Sequence, residues 1–216
     1  MIHERVIDLT LTLDSKVAKF KREISKSIPP DGWNASMLHI YSHTGTHMDC
    51  PYHFGVSDIT IDRISPERFM ADGILVRMDD VKPGMHIEKN LLDGYKPVDL
   101  KDKAILFHTG WSKYYHDPEM YRNRLPKISR ELANYLVECN VSIIGVEPPS
   151  VSDVNNIDEL AGVHRILLEG NVIIVEGLAN LEGLTGSPFR FIALPLKIAG
   201  GDGAPVRAIA IEQVNS

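Results

Sequence analysis

The chain has 216 residues, of which 44% are hydrophobic and 24% are charged, so it can bury a sizeable core, and a disordered or fibrous chain is excluded. Its 23 lysine and arginine residues against 29 aspartate and glutamate residues leave a net charge of -6. No basic block is long enough to follow a phosphate backbone, so a nucleic-acid partner is not expected.

Apolar runs and cysteines exclude two further classes of protein. No apolar run approaches the roughly 20 residues that span a bilayer, and the first residues carry charges where a secretory signal would be apolar. The two cysteines, Cys50 and Cys139, lie far apart in a chain that would need many more for a disulfide scaffold, so both are expected to be reduced. We therefore expect a cytoplasmic protein that does not associate with membranes.

Periodicity and turn residues predict strands that outnumber helices. The expected strands cover residues 6–12, 36–41, 73–78, 104–109, 141–146, 172–176, 189–196 and 206–212. Residues 15–27 are lysine-rich and predict an irregular exposed loop. Expected helices are a short one after Ser65, one from Ser129 through Cys139, and one over 159–168 that ends at Gly170. This pattern, without a linker or repeat, predicts one mixed α/β domain over residues 1–216.

Metal-ligating residue types are concentrated in one short stretch of the chain. Three of the nine histidines, His43, His47 and His53, lie within eleven residues together with Asp49. All four have odd numbers, so in an extended chain they would share one face, apart from bends at the intervening glycine and proline. Two imidazoles and a carboxylate suit a first-row divalent metal, and three protein ligands leave a position for water. Asp49 could bridge two ions because a carboxylate has two oxygens.

Other interpretations of this stretch are weaker. An isolated histidine more often caps a turn than binds a metal, but four ligand-type residues at regular spacing favour a site. Cys50 lies inside the stretch, yet a nucleophilic thiol needs an activating base, and the histidines suit a metal better. The sequence has no G-x-S-x-G elbow, Walker A loop or G-x-G-x-x-G fingerprint, so no nucleotide cofactor is implied.

Residues 43–54, with the sequence HTGTHMDCPYHF, resemble the H-x-G-T-H-x-D-x-P-x-H-F signature of the Putative cyclase family, which includes bacterial kynurenine formamidases and isatin hydrolases. The resemblance continues in the C-terminal third, over residues 163–168, 175–181, 193–197 and 203–208. It therefore covers nearly the whole chain from residue 7 onward. It implies a mixed sheet of the swivelling β/β/α type and a homo-oligomer, either a dimer or a tetramer.

The resemblance also implies a role for each site residue. One divalent ion, zinc or manganese, would be held by His43, His47 and Asp49. In the two-metal formamidases a second ion would be held by Asp49, His164 and Glu176, and His53 would be the proton shuttle. The sequence leaves open whether one or two ions are bound. The residues alone would not single out His164 or Glu176, because one helical histidine and one carboxylate at a strand end are ordinary features.

The sequence departs from the family pattern in two places. The formamidases usually follow the first strand with a proline-rich segment that ends in tryptophan, proline and glycine and covers the substrate. Residues 14–22 instead have lysine or arginine at positions 16, 19, 21 and 22. Phe20 lies where the aromatic ring of the family pattern would be, so Phe20 is the expected substrate contact. Positive charge there would favour an anionic ligand, although a solvated loop explains it equally simply. Glu147 stands where aspartate is expected.

These features predict a cytoplasmic hydrolase that acts on a small amide, formamide, lactam or lactone. The resemblance makes an arylformamidase the best candidate, with N-formylkynurenine, an intermediate of tryptophan catabolism, as substrate. An enzyme like isatin hydrolase or dienelactone hydrolase would use the same residues, and the cavity lining near Phe20, Trp33 and residues 148–156 would distinguish them. A metal-dependent binding protein without turnover is the alternative from another class. His53 argues against it, because a structural site needs a closed ligand set.

Overall fold

The computed structural model describes residues 2–186 and 188–215. Its strands are β1 Ile2–Asp8, β2 Phe20–Lys26, β3 Ala35–Ile40, β4 His47–Asp49, β5 Met70–Arg77, β6 His86–Ile87, β7 Ala104–His108, β8 Lys127–Ile128, β9 Ile143–Val146, β10 Ile173–Glu176, β11 Phe189–Pro195 and β12 Gly203–Asn215. Its α-helices are α1 Pro97–Leu100, α2 Pro118–Asn123, α3 Arg130–Glu138 and α4 Ile157–Glu169. The predicted mixed α/β class is confirmed.

The main sheet closes on itself. Its strand order is β1-β12-β11-β5-β7-β9-β10-β4, and β12 also pairs with β4, so seven strands form a closed, barrel-like sheet with β1 added to the edge of β12. Strands β5, β7, β9 and β10 run parallel to their neighbours in that group, whereas β4, β11 and β12 pair antiparallel. The long strand β12 closes the sheet, because its residues 203–205 pair with β4 and its residues 206–212 pair with β11. Its residues 209–215 also pair with β1.

The central parallel strands are buried on both faces. In β7, Leu106 belongs to the core inside the closed sheet, whereas Ile105 and Phe107 pack outward against the helices. Inside, Gly145 of β9 leaves room for Leu106, because a Cβ at that glycine would lie 2.4 Å from the leucine Cδ2. Burial on both faces explains why these strands appear in the sequence as continuous apolar runs.

Two predicted helices form, one with the expected Ser129 cap and one that begins two residues earlier than predicted, after a cap that was not predicted. The Ser129 side chain accepts a hydrogen bond from Leu132 N (3.1 Å) at the start of α3. The side chain of Asn156 accepts one from Glu159 N (3.2 Å) at the start of α4, which ends at Gly170. These caps satisfy backbone donors that a first helical turn leaves without partners.

The prediction of an irregular loop over residues 15–27 is wrong in its second half. Strands β2 and β3 form a separate two-stranded hairpin in which Phe20 pairs with Ile40. Most residues of both strands are exposed, so no alternation of apolar and polar residues marks β2 in the sequence. The first strand is also shifted to Ile2–Asp8, because Leu11 leaves the sheet and its backbone N–H donates to Thr46 Oγ1.

The remaining differences concern short elements. The helix expected after Ser65 is a single 3₁₀ turn over Pro66–Phe69, without a hydrogen bond from a side-chain cap. Both cysteines are free, as predicted, and both are buried. Among the described residues, no helix has both the length and the apolar character needed to cross a membrane.

Candidate metal centre

The histidine-rich segment reaches the site through turns as well as through a strand. Gly45 has a φ of 65°, a conformation that glycine adopts without steric cost, and it turns the chain into β4. Only His47–Asp49 is extended, between β10 and β12. His53 follows in a 3₁₀ turn over Pro51–Phe54 that begins with the proline. Strand alternation therefore accounts for His47 and Asp49, and the turns bring in the other two histidines.

Two distant elements complete the cluster. Glu176 is the last residue of β10 and pairs directly with His47 across the antiparallel ladder. His164 lies on the buried face of α4. Cross-strand neighbours on one face lie within side-chain contact, so the register places these groups together.

Asp49 lies at the centre of the cluster. Its Oδ1 is 2.8 Å from His43 Nδ1, and its Oδ2 is 3.4 Å from His164 Nε2. Glu176 lies 3.1 Å from His47 Nε2 and 3.3 Å from His164 Nε2. The two carboxylate side chains are at most 4% exposed. Burial of two carboxylates is costly unless positive charge compensates them.

Outer hydrogen bonds orient two of the imidazoles. His164 Nδ1 donates to the Leu160 carbonyl at 2.7 Å, and His47 Nδ1 donates to the Gly45 carbonyl at 3.0 Å. In a neutral ring this leaves Nε2 with its lone pair directed at the carboxylates, which is the arrangement of a metal-bound histidine. Glu176 Oε1 is held in turn by the Val151 backbone N–H at 2.7 Å.

The residues present fit a divalent cation. Asp49 Oδ2 is buried and has no hydrogen-bond partner, and such an oxygen is costly unless a cation or donor meets it. Around Asp49, two sets of three residues bring ligand atoms within 4.8 Å of one another: His47, Asp49 and Glu176, and His43, Asp49 and His53. Both sets share Asp49. Imidazole nitrogens and carboxylate oxygens are the donors that first-row divalent metals accept.

The carboxylates raise the pKa values of two neighbouring histidines, His164 and His43. Burial lowers the pKa of His164, but Asp49 and Glu176 outweigh it and raise the pKa to about 10. Burial also opposes protonation of His43, yet its contacts with Asp49 and Asp202 raise the pKa to about 9. In the protein without metal, protons on these rings thus supply the charge that a cation would otherwise bring.

Asp202 is a site residue that the sequence alone did not single out. It lies just before β12, and its Oδ2 is 2.9 Å from His43 Nε2 and 3.5 Å from His53 Nδ1. The His53 ring stacks on the His43 ring and is about one quarter exposed, and burial lowers its pKa. The available signal is an acid between glycines at 201 and 203, a pattern that is typical of a turn.

A cavity of about 400 Å³ opens above the cluster. His43, His47, His53, His164 and Glu176 are among the residues that line it. Further lining residues come from residues 16–19, 115–122 and 149–154. This volume suits a small molecule.

Two aromatic residues expected near the substrate are not among the residues that line the cavity. Phe20 begins β2 and is half-buried, but the lining residues of its segment end at Lys19. Trp33, in the hairpin turn, is 58% exposed. Substrate contact by Phe20 therefore stays a prediction.

Two other reactive groups have structural partners. The fully buried Glu147 carboxylate accepts hydrogen bonds from Thr109 N (2.6 Å) and Ser112 Oγ (2.8 Å), and thereby fixes the loop after β7. Cys50 is buried, its thiol donates to the Asp202 carbonyl at 3.1 Å, and burial raises its pKa to about 11. A thiol of that pKa is a poor nucleophile at neutral pH.

Comparison with known proteins identifies the family. The family model described as Putative cyclase matches residues 7–153. A kynurenine formamidase of Salinibacter ruber is 30% identical over 177 residues, which are 82% of this chain and 79% of the relative. One from Bacillus cereus is 28% identical over 210 residues, covering 94% and 95%.

A solved structure shares the fold. Isatin hydrolase A from Ralstonia solanacearum superposes with a TM-score of 0.85 at 25% identity, covering 96% of this chain and 92% of the other. With the family model matching more than half of its length, the chain belongs to the Putative cyclase family, and it is a metal-dependent hydrolase of that family.

Proposed function

We propose that the protein hydrolyses a small aryl formamide, with N-formylkynurenine as the leading candidate. The observation that carries the proposal is Asp49, whose buried oxygen without a partner lies among histidines beside a small cavity. The kynurenine formamidases that resemble the chain over most of its length support this choice of substrate.

The reaction would use the residues around that cavity. One ion would be held by His43, His47 and Asp49, and a second by Asp49, His164 and Glu176. When bound, a divalent ion lowers the pKa of its water toward 7 and polarises the carbonyl under attack.

His53 would deliver the proton that the leaving amine needs. It is the partly exposed histidine of the cluster, so it can exchange protons with solvent, whereas His47 and His164 are only 2% exposed. An imidazole suits this task because its ordinary pKa lies near neutral pH. Orientation of its ring comes from the stack with His43 and from Asp202.

Zinc is the proposed ion, and manganese is the alternative. Histidine, aspartate and glutamate accept either metal, and availability in the cell often decides between them. Metal analysis of the purified protein, by mass spectrometry, would give both the identity and the number of ions per chain.

Two further functions compete with the formamidase proposal. The isatin hydrolase likeness supports a lactam substrate, and a lactone such as a dienelactone would use the same chemistry. A binding protein whose metal is only structural would have a closed ligand set, whereas His53 borders an open cavity.

Parallel assays would test these alternatives. Wild-type protein of known metal content and its His53→Ala variant would be incubated with N-formylkynurenine, isatin and a simple lactone. Formamide turnover that the variant loses while it keeps its metal would support the proposal. Turnover of isatin alone would replace it with a lactamase function, and bound metal without any turnover would favour a binding protein.

The proposal also covers the oligomeric state, the cellular location and the domain organisation of the enzyme. A homo-oligomer, dimer or tetramer, would explain the exposed apolar residues of the β2–β3 hairpin, which include Ile24 (68% exposed) and Leu38 (53%). The buried free thiols support a cytoplasmic location. One domain over residues 1–216, of the swivelling β/β/α type, stays a prediction that the closed sheet supports.

A further inference from the structure

The loop over residues 148–152, between β9 and α4, is fixed to the metal centre at two points. The Val151 backbone N–H donates to Glu176 Oε1 at 2.7 Å, and Ser152 Oγ lies 3.2 Å from His164 Nδ1. The loop begins with two consecutive prolines, whose rings fix the φ angles of the backbone. It therefore keeps one position relative to both of these side chains.

Ser150 directly precedes these two contacts and lines the cavity. The residue is only 3% exposed, so bulk water has little access to its side chain. Its Oγ accepts a hydrogen bond from the Ser152 backbone N–H at 3.2 Å, which fixes the position of the oxygen. Among the residues that the structure describes, no acceptor receives the hydroxyl proton of Ser150, and a hydroxyl can rotate its proton toward a ligand. The cavity wall thus offers a positioned donor beside the metal centre.

Most other hydroxyl groups of the cavity wall are less suited to this task. Those of Tyr115 and Tyr121 already donate to backbone carbonyls, at 2.6 Å and 3.0 Å. Tyr41 is exposed, so water competes for its hydrogen bonds. Thr44 is buried, and within residues 2–186 and 188–215 its hydroxyl has no hydrogen-bond partner. Thr44 is therefore the rival to Ser150 and is included in the test below.

We propose that Ser150 is a catalytic residue that donates a hydrogen bond from its hydroxyl to the carbonyl oxygen of the substrate. This inference rests on the proposed hydrolysis, and it applies to a formamide, a lactam or a lactone, because all three react at a carbonyl. When water adds to the carbonyl carbon, the π electrons of the C=O bond move onto the oxygen. That oxygen carries negative charge until the bond to the leaving group breaks.

A donor that is already in place stabilises this charge without reorganisation in the transition state. The loop contacts with Glu176 and His164 provide such a fixed position for Ser150. Ser150 keeps its own proton throughout, and His53 delivers the proton that the leaving group needs. The two residues therefore have separate roles, one at the carbonyl oxygen and one at the leaving atom.

Ser150→Ala should lower kcat about tenfold to 100-fold with little change in KM, because the hydrogen bond strengthens as the oxygen becomes charged. Ser150→Thr keeps a hydroxyl and should recover most of this loss. Thr44→Val removes the rival hydroxyl at nearly constant volume and should lower kcat less than Ser150→Ala does. Ser142→Ala, just before β9 and outside the cavity lining, is the matched control and should keep the wild-type kcat. All variants would be compared at equal metal content, on whichever of N-formylkynurenine, isatin and a simple lactone the wild type hydrolyses.

Infrared spectroscopy gives a readout that needs no turnover. The metal-loaded His53→Ala variant would be mixed with N-formylkynurenine or with isatin, each carrying an isotope label in the carbonyl under attack. A hydrogen bond to the oxygen weakens the C=O bond, so adding Ser150→Ala should move the labelled band to higher frequency. Adding Thr44→Val should leave the band in place.

The two measurements separate failure of this inference from failure of the proposed function. A lower kcat in Ser150→Ala together with the band shift would support the hydroxyl as a donor to the substrate. A lower kcat without the shift would assign Ser150 a structural role, and a shift in Thr44→Val instead would assign the contact to Thr44. Either result would overturn the inference and leave the proposed hydrolysis intact. A wild type that hydrolyses isatin but no formamide would contradict the formamidase proposal, while the same variants would still test Ser150.

Discussion

The imidazole rings of His43 and His53 stack with their centres 3.9 Å apart and their planes 26° apart. The two rings have different environments. His43 contacts both Asp49 and Asp202 through its two nitrogens, whereas His53 lies 3.5 Å from Asp202 through Nδ1 and is about one quarter exposed beside the cavity. One ring is therefore fixed by carboxylates, and the other is free to move a proton.

His53→Ala should lower kcat at least about 100-fold while metal content stays at the wild-type value, because general acid catalysis contributes roughly that much. Turnover and metal stoichiometry would be measured on the same preparation. His39→Ala is the control, at an exposed hairpin histidine that contacts Glu23. A kcat within threefold of wild type in His53→Ala would contradict the proton-shuttle role.

Removal of metal should abolish turnover and leave the far-ultraviolet circular dichroism spectrum largely unchanged. The reason is that the main cores inside and outside the closed sheet are built from apolar side chains and do not need the ion. Chelation followed by dialysis would be monitored by both signals, and added zinc or manganese should restore turnover. Unfolding on chelation would instead indicate a structural metal site.

Glu147→Gln should lower the free energy of unfolding by about 2 to 3 kcal/mol, because a buried carboxylate that accepts several hydrogen bonds is replaced by an amide with one acceptor oxygen. The NH₂ group would face donors such as Thr109 N and Ser112 Oγ. Urea denaturation measures the difference. Glu138→Gln, at an exposed residue of α3, should change stability by less than about 0.5 kcal/mol. Equal effects of the two changes would contradict the structural role of Glu147.

Stability should depend on pH through Asp153. The backbone N–H of Asn155 lowers the pKa of Asp153, and Lys127, 3.0 Å away, adds to this effect. A carboxylate whose pKa is lower in the folded than in the unfolded protein stabilises the fold at pH values above its unfolded pKa of about 3.9. This stabilisation is lost as the pH falls through the folded pKa. Lys127→Met removes the contact with Asp153 and a second one with Glu159 (3.3 Å), so it should cost about 1 kcal/mol at pH 7 and less near pH 3.

Urea denaturation of wild type and Lys127→Met at several pH values would measure this trend. Lys101→Met, at an exposed lysine, is the control and should match wild type at every pH. A cost of Lys127→Met that stays constant from pH 7 down to pH 3 would show that Asp153 is not its titrating partner.

Gly177→Ala should destabilise the protein and weaken metal binding. Gly177 has a φ of 68° and follows Glu176, and a Cβ there would lie 2.3 Å from the Gly45 carbonyl oxygen. The contact is with backbone, so relief requires β10 and the turn before β4 to separate. Gly84→Ala has a similar φ of 71° with nothing within 4 Å, so it isolates the conformational cost of about 1 to 2 kcal/mol. Equal losses of stability in the two variants would refute the close approach.

The sequence predicted those parts of the fold in which burial leaves a periodic pattern. Helix α3 was recognisable from Ser129 and from the buried stripe that includes Leu132 and Leu136. Strand β2 was not, because Ile24 and its neighbours are exposed on both faces. For such a hairpin, cross-strand pairing determines the structure and leaves little trace in one sequence.

The residues of the candidate site also differ in how well the sequence alone predicts them. His43, His47, Asp49 and His53 could be recognised because they lie within eleven residues. Asp202 could not, since its approach to His43 depends on the pairing of β12 with β4 across more than 150 residues of chain. His164 and Glu176 needed the family resemblance for the same reason.

The pairing of β4 has a consequence for the order in which the protein matures. Both neighbours of β4, β10 and β12, come from the last quarter of the sequence, and Glu176 and Asp202 arrive with them. A nascent chain emerging from the ribosome carries His43, His47 and Asp49 long before these partners exist. The metal centre can therefore assemble only after β12 has been synthesised and has paired with β4 to close the barrel.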